Sequence, residues 1–274
     1  MQVKMINDRP VKIWADEVED SAMEQIANLT TLPFLYHHLA IMPDVHTGKG
    51  MPIGGVLACV NAVIPNAVGV DIGCGMCAVK TNWHVADIST EVLRKRIMRG
   101  IRKRIPLGKD HHKLAQDESL LPQGHDIDKL EIVKRRQVAI LKEIGTLGGG
   151  NHFIELQKDE EGLLWIMIHS GSRNLGKQVG DYYNQRAATL NKLWYSQVSP
   201  NIGLPFLPVR TPEFTNYWAE MQYCIDFALC NRRVMMTRIE EVLADALPNI
   251  TFEPMIKREF EIIFKKVKSR KTSN

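Results

Sequence analysis

No apolar run in this sequence approaches the roughly 20 residues that cross a bilayer. Met1 to Asp20 is mixed and polar, without the charged-then-apolar order of a secretion signal. Cysteine is scarce and odd in number, five in all, which argues against a disulfide framework. Cys74 and Cys77 stand as C-G-M-C with no second pair, so the spacing is not that of a zinc finger. The glycine-rich stretch at 145–150 lacks a following Gly-Lys-Ser/Thr, which excludes a Walker loop. A G-x-S-x-G elbow is missing around Ser170 and Ser172, against a hydrolase nucleophile there. No internal repeat, low-complexity segment or clear linker is present. These absences point to a cytoplasmic chain with no membrane span, in a reducing compartment that leaves thiols free as ligands.

The 274 residues suffice for one large domain or two small ones, and 45% hydrophobic with 24% charged residues is ordinary for a soluble globular protein. Net charge is +4, but its placement is uneven. Seven of the 35 basic and two of the 31 acidic residues lie at 257–274, leaving 28 basic against 29 acidic residues before them. A second basic cluster runs from Arg94 to Arg104. Patches of this kind suit a polyanion better than the total charge does.

Apolar alternation bounded by glycine predicts strands at Val11–Ala15, Leu39–Met42, Ile53–Val60, Met76–Thr81, His152–Gln157 and Leu163–Ile168. Helices are expected from Asp20, over Ser89–Ile105 with Ser89 as cap, over Leu130–Ile144 and Asn174–Gln197, and from Thr211 with Pro212 to about Leu247. In the second of these, Leu93, Ile97, Ile101 and Ile105 form an apolar stripe, and the basic residues around it read as a solvated face or a nucleic-acid contact. Pro106–His125 reads as an irregular, mobile loop holding the pair His111 and His112. One continuous α/β body is the simplest architecture.

The chemistry concentrates between Met42 and Lys80 and in two later loops. Asp44 and His46 follow an apolar run, and Asp71 and Cys74 sit in VGVDIGCG at 68–75. His152 ends GTLGGGNH, and His169 opens HSGSR at 169–173. Asp71, Cys74, His152 and His169 each follow or end an expected strand, where side chains are held rigidly and can converge. A carboxylate, a thiolate and imidazoles suit Mn, Fe, Co or Zn, whereas magnesium prefers oxygen alone. A thiolate can also bridge two ions. Taken singly, each residue has a plainer reading: a buried Cys is most often a small core residue, and a strand His a satisfied hydrogen-bonder. The Gly148–His152 loop offers backbone N–H groups and the Asn151 amide to a phosphate, or is simply a tight turn into a strand. HSGSR supplies hydroxyls and the Arg173 guanidinium to an anion.

Four blocks together resemble the signatures of RtcB-type RNA ligases: HLAIMPDVHTGKG at 38–50, PNAVGVDIGCGM at 65–76, GTLGGGNHFIE at 145–155 and HSGSR at 169–173. The resemblance spans from near the N-terminus to about Ile256. It implies an α+β ligase body over residues 1–256, with mixed sheets surrounded by helices, followed by an atypical basic tail at 257–274. It also implies an enzyme that joins RNA 3′-phosphate or 2′,3′-cyclic phosphate ends to 5′-hydroxyl ends, as in tRNA splicing or RNA repair. GTP and two Mn²⁺ ions serve the family, through a histidine–GMP and then an RNA–GMP intermediate, often with a small activator, archease. Residue by residue, Asp71 and His152 resemble ligands of the first ion, His169 of the second, and Cys74 the bridge between them. Asn151, His152, Phe153, Ile154 and Glu155 match the guanylate-contacting segment, and Asp44 and His46 take an orienting role behind the ligands.

The sequence also departs from that pattern. The family's guanylylated His, a further metal-binding His and a terminal Lys belong to a C-terminal third, whereas the last His here is His169. Residues after Ile256 match nothing of that block. The expectation is a copy lacking that third, with no catalytic histidine of its own. It is either the ligase, a metal-, nucleotide- and RNA-binding body without turnover, or an unstable remnant. The basic tail is then accidental or RNA-binding.

Overall fold

The computed structural model describes residues 1–88 and 90–259. The chain opens with a hairpin of β1 (Gln2–Ile6) and β2 (Arg9–Ile13). Its turn residues Asn7 and Asp8 both take positive φ, 48° and 57°, the backbone that matches strand twist in two-residue hairpins. β1 lies largely exposed, its apolar Val3 and Met5 included. After α1 (Asp20–Thr30) come β3 (Leu35–His46) and β4 (Ile53–Cys59). These four strands form one sheet in the order β1-β2-β3-β4, with β2 and β3 parallel. Val11, Ile13, Leu39 and Ile41 pack from this sheet onto Ile26 and Leu29 of α1.

A second sheet carries the loops of interest. β5 (Ala62–Val63) and the short α2 (Pro65–Val68) lead into β6 (Gly75–His84). α3 (Glu91–Arg104) and α4 (Glu131–Glu143) follow, then β7 (Phe153–Lys158) and β8 (Leu163–Ser170). α5 (Arg173–Leu193), β9 (Leu207–Pro208), α6 (Pro212–Ala246) and β10 (Ile256–Glu259) complete the described chain. The second sheet runs β10-β6-β8-β7, and β5 pairs with β9 separately. Sheets covered by helices make this an α+β body, as expected; of the sheets only the first is mixed, the second being antiparallel throughout.

Local chemistry sets the helix ends. α6 starts where the Thr211 hydroxyl accepts Phe214 N–H at 3.2 Å and Pro212 occupies the first turn. α3 is capped by Thr90, which accepts Leu93 N–H at 3.3 Å; the expected cap Ser89 lies outside the described residues. Ile97, Ile101 and Ile105 are buried along its stripe, against α6 residues Ile239 and Leu243 in the same cluster. Arg96 and Arg104 reach across to Asp245 of α6, whereas Arg94, Arg99, Arg102 and Lys103 stay exposed.

One expectation changes. The 106–125 loop is not loose: Arg238 of α6 donates to Gln116 Oε1 at 2.6 Å and pairs with His112 Nε2 at 2.8 Å, and His112 N–H donates to Lys142 O at 3.0 Å. A half-buried guanidinium from a distant helix fixes it, a contact invisible in local composition. The strand at 256–259 runs across the expected 256/257 boundary and pairs with β6, Lys257 opposite Cys77. Residues 260–274, the rest of the basic tail, lie outside the described residues. Among the described residues, no helix is long and apolar enough to cross a membrane.

The turn between β7 and β8 is held by Asp159, whose carboxylate accepts Trp165 Nε1–H at 2.9 Å and Leu163 N–H at 2.8 Å, with Lys80 at 3.3 Å. The indole hydrogen bond, then the backbone and Lys80 contacts, outweigh desolvation and hold this acid down at about 2. Its folded value is below the unfolded one of about 3.9. Its contribution is therefore complete above that value and is lost as pH falls towards the folded one. Trp165 fluorescence is expected to report loosening of the turn between about pH 4 and 2, and Asp159→Asn to show the acid-form signal already at neutral pH. A flat profile in the wild type refutes this.

Candidate metal centre

Strand alternation decides which way each candidate points. In β8, Leu164, Ile166, Ile168 and Ser170 are buried in turn, which turns His169 to the opposite face. Across the sheet His169 stands opposite Met76 of β6 and Phe153 of β7. Cys74 lies two residues before Met76, on the same side, and His152 immediately precedes Phe153. The Asp71–Cys74 turn closes with Cys74 N–H donating to Asp71 O at 3.1 Å. At its bend Gly73 has φ +78°, and a Cβ there would stand 2.9 Å from both Ala228 Cβ and Ile225 Cα of α6, so only glycine lets the turn lie this close.

The result is a cluster around one sulfur. Cys74 Sγ lies 2.8 Å from His169 Nε2 and 3.8 Å from His152 Nε2, and His152 Nε2 lies 3.1 Å from Asp71 Oδ2. One ligand atom each from Asp71, Cys74 and His152 falls within 4.8 Å of the others. His169 meets the group through the sulfur, with its ring 5.5 Å from that of His152. Two half-sites thus share Cys74. His152 Nδ1 faces Leu147 O at 3.1 Å, which orients the ring with Nε2 toward the cluster. The carboxylate side is open, the Asp71 side chain being 42% exposed against 8% for His152.

The electrostatics suit a cation. Burial, then the neighbouring Asp71 charge, pushes the Cys74 thiol up to about 12. Desolvation opposes ionisation of Asp71, but hydrogen bonds from His152 and Cys74 win and keep it below its ordinary value. Burial, then His152, lowers His169, so its imidazole is neutral at pH 7. The cluster therefore carries a carboxylate and a protonated thiol, and a divalent ion held by these residues would displace the thiol proton. The donor set O, S, N, N fits a borderline transition metal, manganese included.

Other candidates fall elsewhere. The Ser170 hydroxyl donates to Leu147 O at 2.8 Å and Ser172 Oγ to Ile72 O, and both are fully buried, so neither offers its hydroxyl to an anion or acts as a nucleophile. Arg173 donates to Thr146 Oγ1 at 2.8 Å and Gly108 O at 2.9 Å, lashing loops together. Asp44 and His46 end β3 in the other sheet, where His46 Nδ1 bonds Asp44 O at 2.8 Å rather than a ligand residue. In the 151–155 segment, Asn151 and Glu155 are exposed, Phe153 sits edge-on to His169 at 5.4 Å, and Ile154 packs on the core. Gly149 and Gly150 form an exposed tip beside them.

Sequence reasoning missed the floor of the site. Asn231 and Arg232 of α6, both fully buried, bond the backbones of the ligand-bearing loops. The signal was present: on α6 the stripe Met221, Cys224, Ala228, Arg232, Met235, Ile239 is apolar except for one cation.

Comparison with known proteins follows the same residues. The family model described as tRNA-splicing ligase RtcB matches residues 25–263. The chain is 33% identical over 266 residues to RNA-splicing ligase RtcB1 of Escherichia coli strain ATCC 25922, covering 89% of this chain and 63% of that protein. It is 34% identical over 263 residues to RNA-splicing ligase RtcB of Escherichia coli K12, covering 88% and 62%. Against tRNA-splicing ligase RtcB of Thermococcus kodakarensis, identity is 27% over 304 residues, covering 92% and 61%. The chain thus spans about three fifths of the length of these relatives. With the match running through every ligand-bearing loop, the chain belongs to the RtcB family.

Proposed function

We propose that this chain serves GTP- and Mn²⁺-dependent joining of RNA 3′-phosphate or 2′,3′-cyclic phosphate ends to 5′-hydroxyl ends, and supplies the metal-holding part of that activity. The observation that carries it is the Cys74 sulfur, which is grouped with Asp71 and His152 and also contacts His169, in a chain of this family. Bound Mn²⁺ supplies Lewis-acid neutralisation of phosphate oxygens. The protein's residues do the rest: Cys74 holds the two positions together, and Leu147 O orients the His152 ring. Exposed Asn151 and Glu155, with the Gly149–Gly150 tip, meet the guanylate. On this reading Ile154 acts only through its strand, and Phe153 by packing against His169. The exposed Arg94, Arg99, Arg102 and Lys103 of α3 face the RNA backbone. An archease-like activator and a cytoplasmic setting belong to the same reading.

A second reading is favoured by one feature, that no histidine follows His169. In it the chain binds metal, nucleotide and RNA without turnover, the guanylate acceptor of the histidine–GMP and RNA–GMP scheme lying outside these 274 residues. The chain incubated with α-labelled GTP and Mn²⁺ decides. The expected result is metal-dependent, non-covalent GTP binding and no adduct. A label stable to alkali but lost in acid, the behaviour of a phosphoramidate, places the acceptor within this chain and removes the second reading. Absence of Mn²⁺ binding removes both.

A further inference from the structure

The four candidate ligands reach the cluster from three segments far apart in sequence, and one dipeptide of α6 is bonded to all three. Asn231 Oδ1 accepts Gly145 N–H at 2.7 Å and Thr146 N–H at 3.1 Å, in the loop that ends at His152. Its Nδ2 donates to Thr146 O at 3.0 Å, and to Ser170 Oγ and Gly171 O, each at 3.3 Å, immediately after His169. Arg232 Nη1 donates to Gly73 O at 2.8 Å, in the Asp71–Cys74 turn, and to Ser170 O at 2.9 Å. Gly171 lies so close that a Cβ would overlap the Asp71 carboxylate and stand 3.4 Å from Cys74 Cα. The loops therefore have little room to shift singly.

The position of the pair in the fold is as telling as its bonds. Upstream, Phe214 to Phe227 of α6 pack into the core built with α4 and α5. Downstream, Met235 to Leu243 pack into the core beneath the second sheet. Asn231 and Arg232 lie at the seam between these apolar cores, directly under the cluster. Burying a guanidinium there is costly compared with an apolar residue of similar size, and packing alone does not require it. What it provides is a fixed pair of donors aimed at two loop carbonyls.

We propose that Asn231 and Arg232 are positioning residues of the metal centre, setting the separation of the Asp71/His152 and His169 half-sites about the Cys74 sulfur. The proposal rests on the metal reading above. Its mechanism is geometric. Arg232 bonds the carbonyl one residue before Cys74 and the carbonyl one residue after His169, which fixes the distance between the sulfur and that imidazole. Asn231 bonds the His152 loop to the same His169 segment, which fixes the second side of the triangle.

Cobalt(II) is the probe, because its visible bands report coordination geometry and its near-ultraviolet band reports thiolate ligation. Arg232→Lys, Arg232→Met and Asn231→Asp are titrated with Co²⁺ beside the wild type and beside Glu220→Gln, a buried polar change on the same helix away from the cluster. Wild type and Glu220→Gln are expected to share one spectrum, even if the latter melts earlier. The Asn231 and Arg232 variants are expected to bind Co²⁺ about 10- to 100-fold more weakly, the range for partners that orient metal ligands, with altered visible bands. Arg232→Lys, which keeps the charge, should recover affinity in part relative to Arg232→Met. If Arg232→Met does not fold, the two near-isosteric variants decide. Wild-type spectra and affinities in those variants overturn the positioning role while leaving the metal reading intact. A wild type that takes up no Co²⁺ or Mn²⁺ overturns the metal reading itself.

Discussion

Cys74→Ala abolishes tight Mn²⁺ binding while the chain stays folded. The sulfur is the one atom common to both sides of the cluster, 2.8 Å from the His169 nitrogen and 3.8 Å from that of His152. Removing it leaves Asp71 and His152 as a two-ligand site and His169 alone. The affinity loss is expected to be on the order of 100-fold or more, beyond the effect of losing an orienting partner. Cys74 is only half-buried and lies in a turn closed by its backbone N–H, which alanine retains. Circular dichroism should therefore be unchanged. His152→Ala and His169→Ala divide the effect, each weakening one half-site and leaving the other, so that Mn²⁺ stoichiometry by electron paramagnetic resonance falls from two towards one. Unchanged Mn²⁺ affinity in Cys74→Ala ends the bridging role.

Glu220→Ala is expected to cause the largest loss of stability without touching the cluster. α4 begins at Glu131 behind Leu130, a residue with no side chain able to cap it. Its first N–H groups are met instead by the fully buried Glu220 carboxylate of α6, at 2.9 and 3.2 Å from Ile132 N and 3.1 Å from Val133 N. Tyr183 OH approaches the same group at 3.5 Å. Alanine leaves those donors buried and unmet and opens a cavity between α4, α5 and α6. Together these cost roughly 2–4 kcal/mol, a lost cap plus unsatisfied donors, or on the order of 5–15 °C in melting temperature for a domain of this size. Glu220→Gln keeps one acceptor oxygen and should lose about half as much. A melting temperature within a degree of wild type in Glu220→Ala would refute this capping role.

Glu220 acts from α6, the element whose importance the linear sequence showed least. Its start was legible, because Thr211 and Pro212 are local signals that any helix needs. Its partners were not. Glu220, Asn231, Arg232 and Arg238 bond backbone between 60 and 159 positions away, and no window of sequence reports such a contact. For the same reason the 106–125 loop reads as irregular from composition, whereas Arg238 and the Lys142 carbonyl fasten it.

The sequence by itself determined the chemistry on offer: which residues can bind a cation, which turns need glycine, where strands alternate and helices start. It also carried the four blocks that mark the family, because those depend on residue identity and order. Only the tertiary structure decided which of these groups meet. It joined Asp71, Cys74 and His152, set His169 against the same sulfur, sent Asp44 and His46 to another sheet, and directed the Ser170 and Ser172 hydroxyls to buried carbonyls. The physical reason is that strand pairing and helix packing fix distances between segments that are independent along the chain, and coordination is a matter of those distances alone.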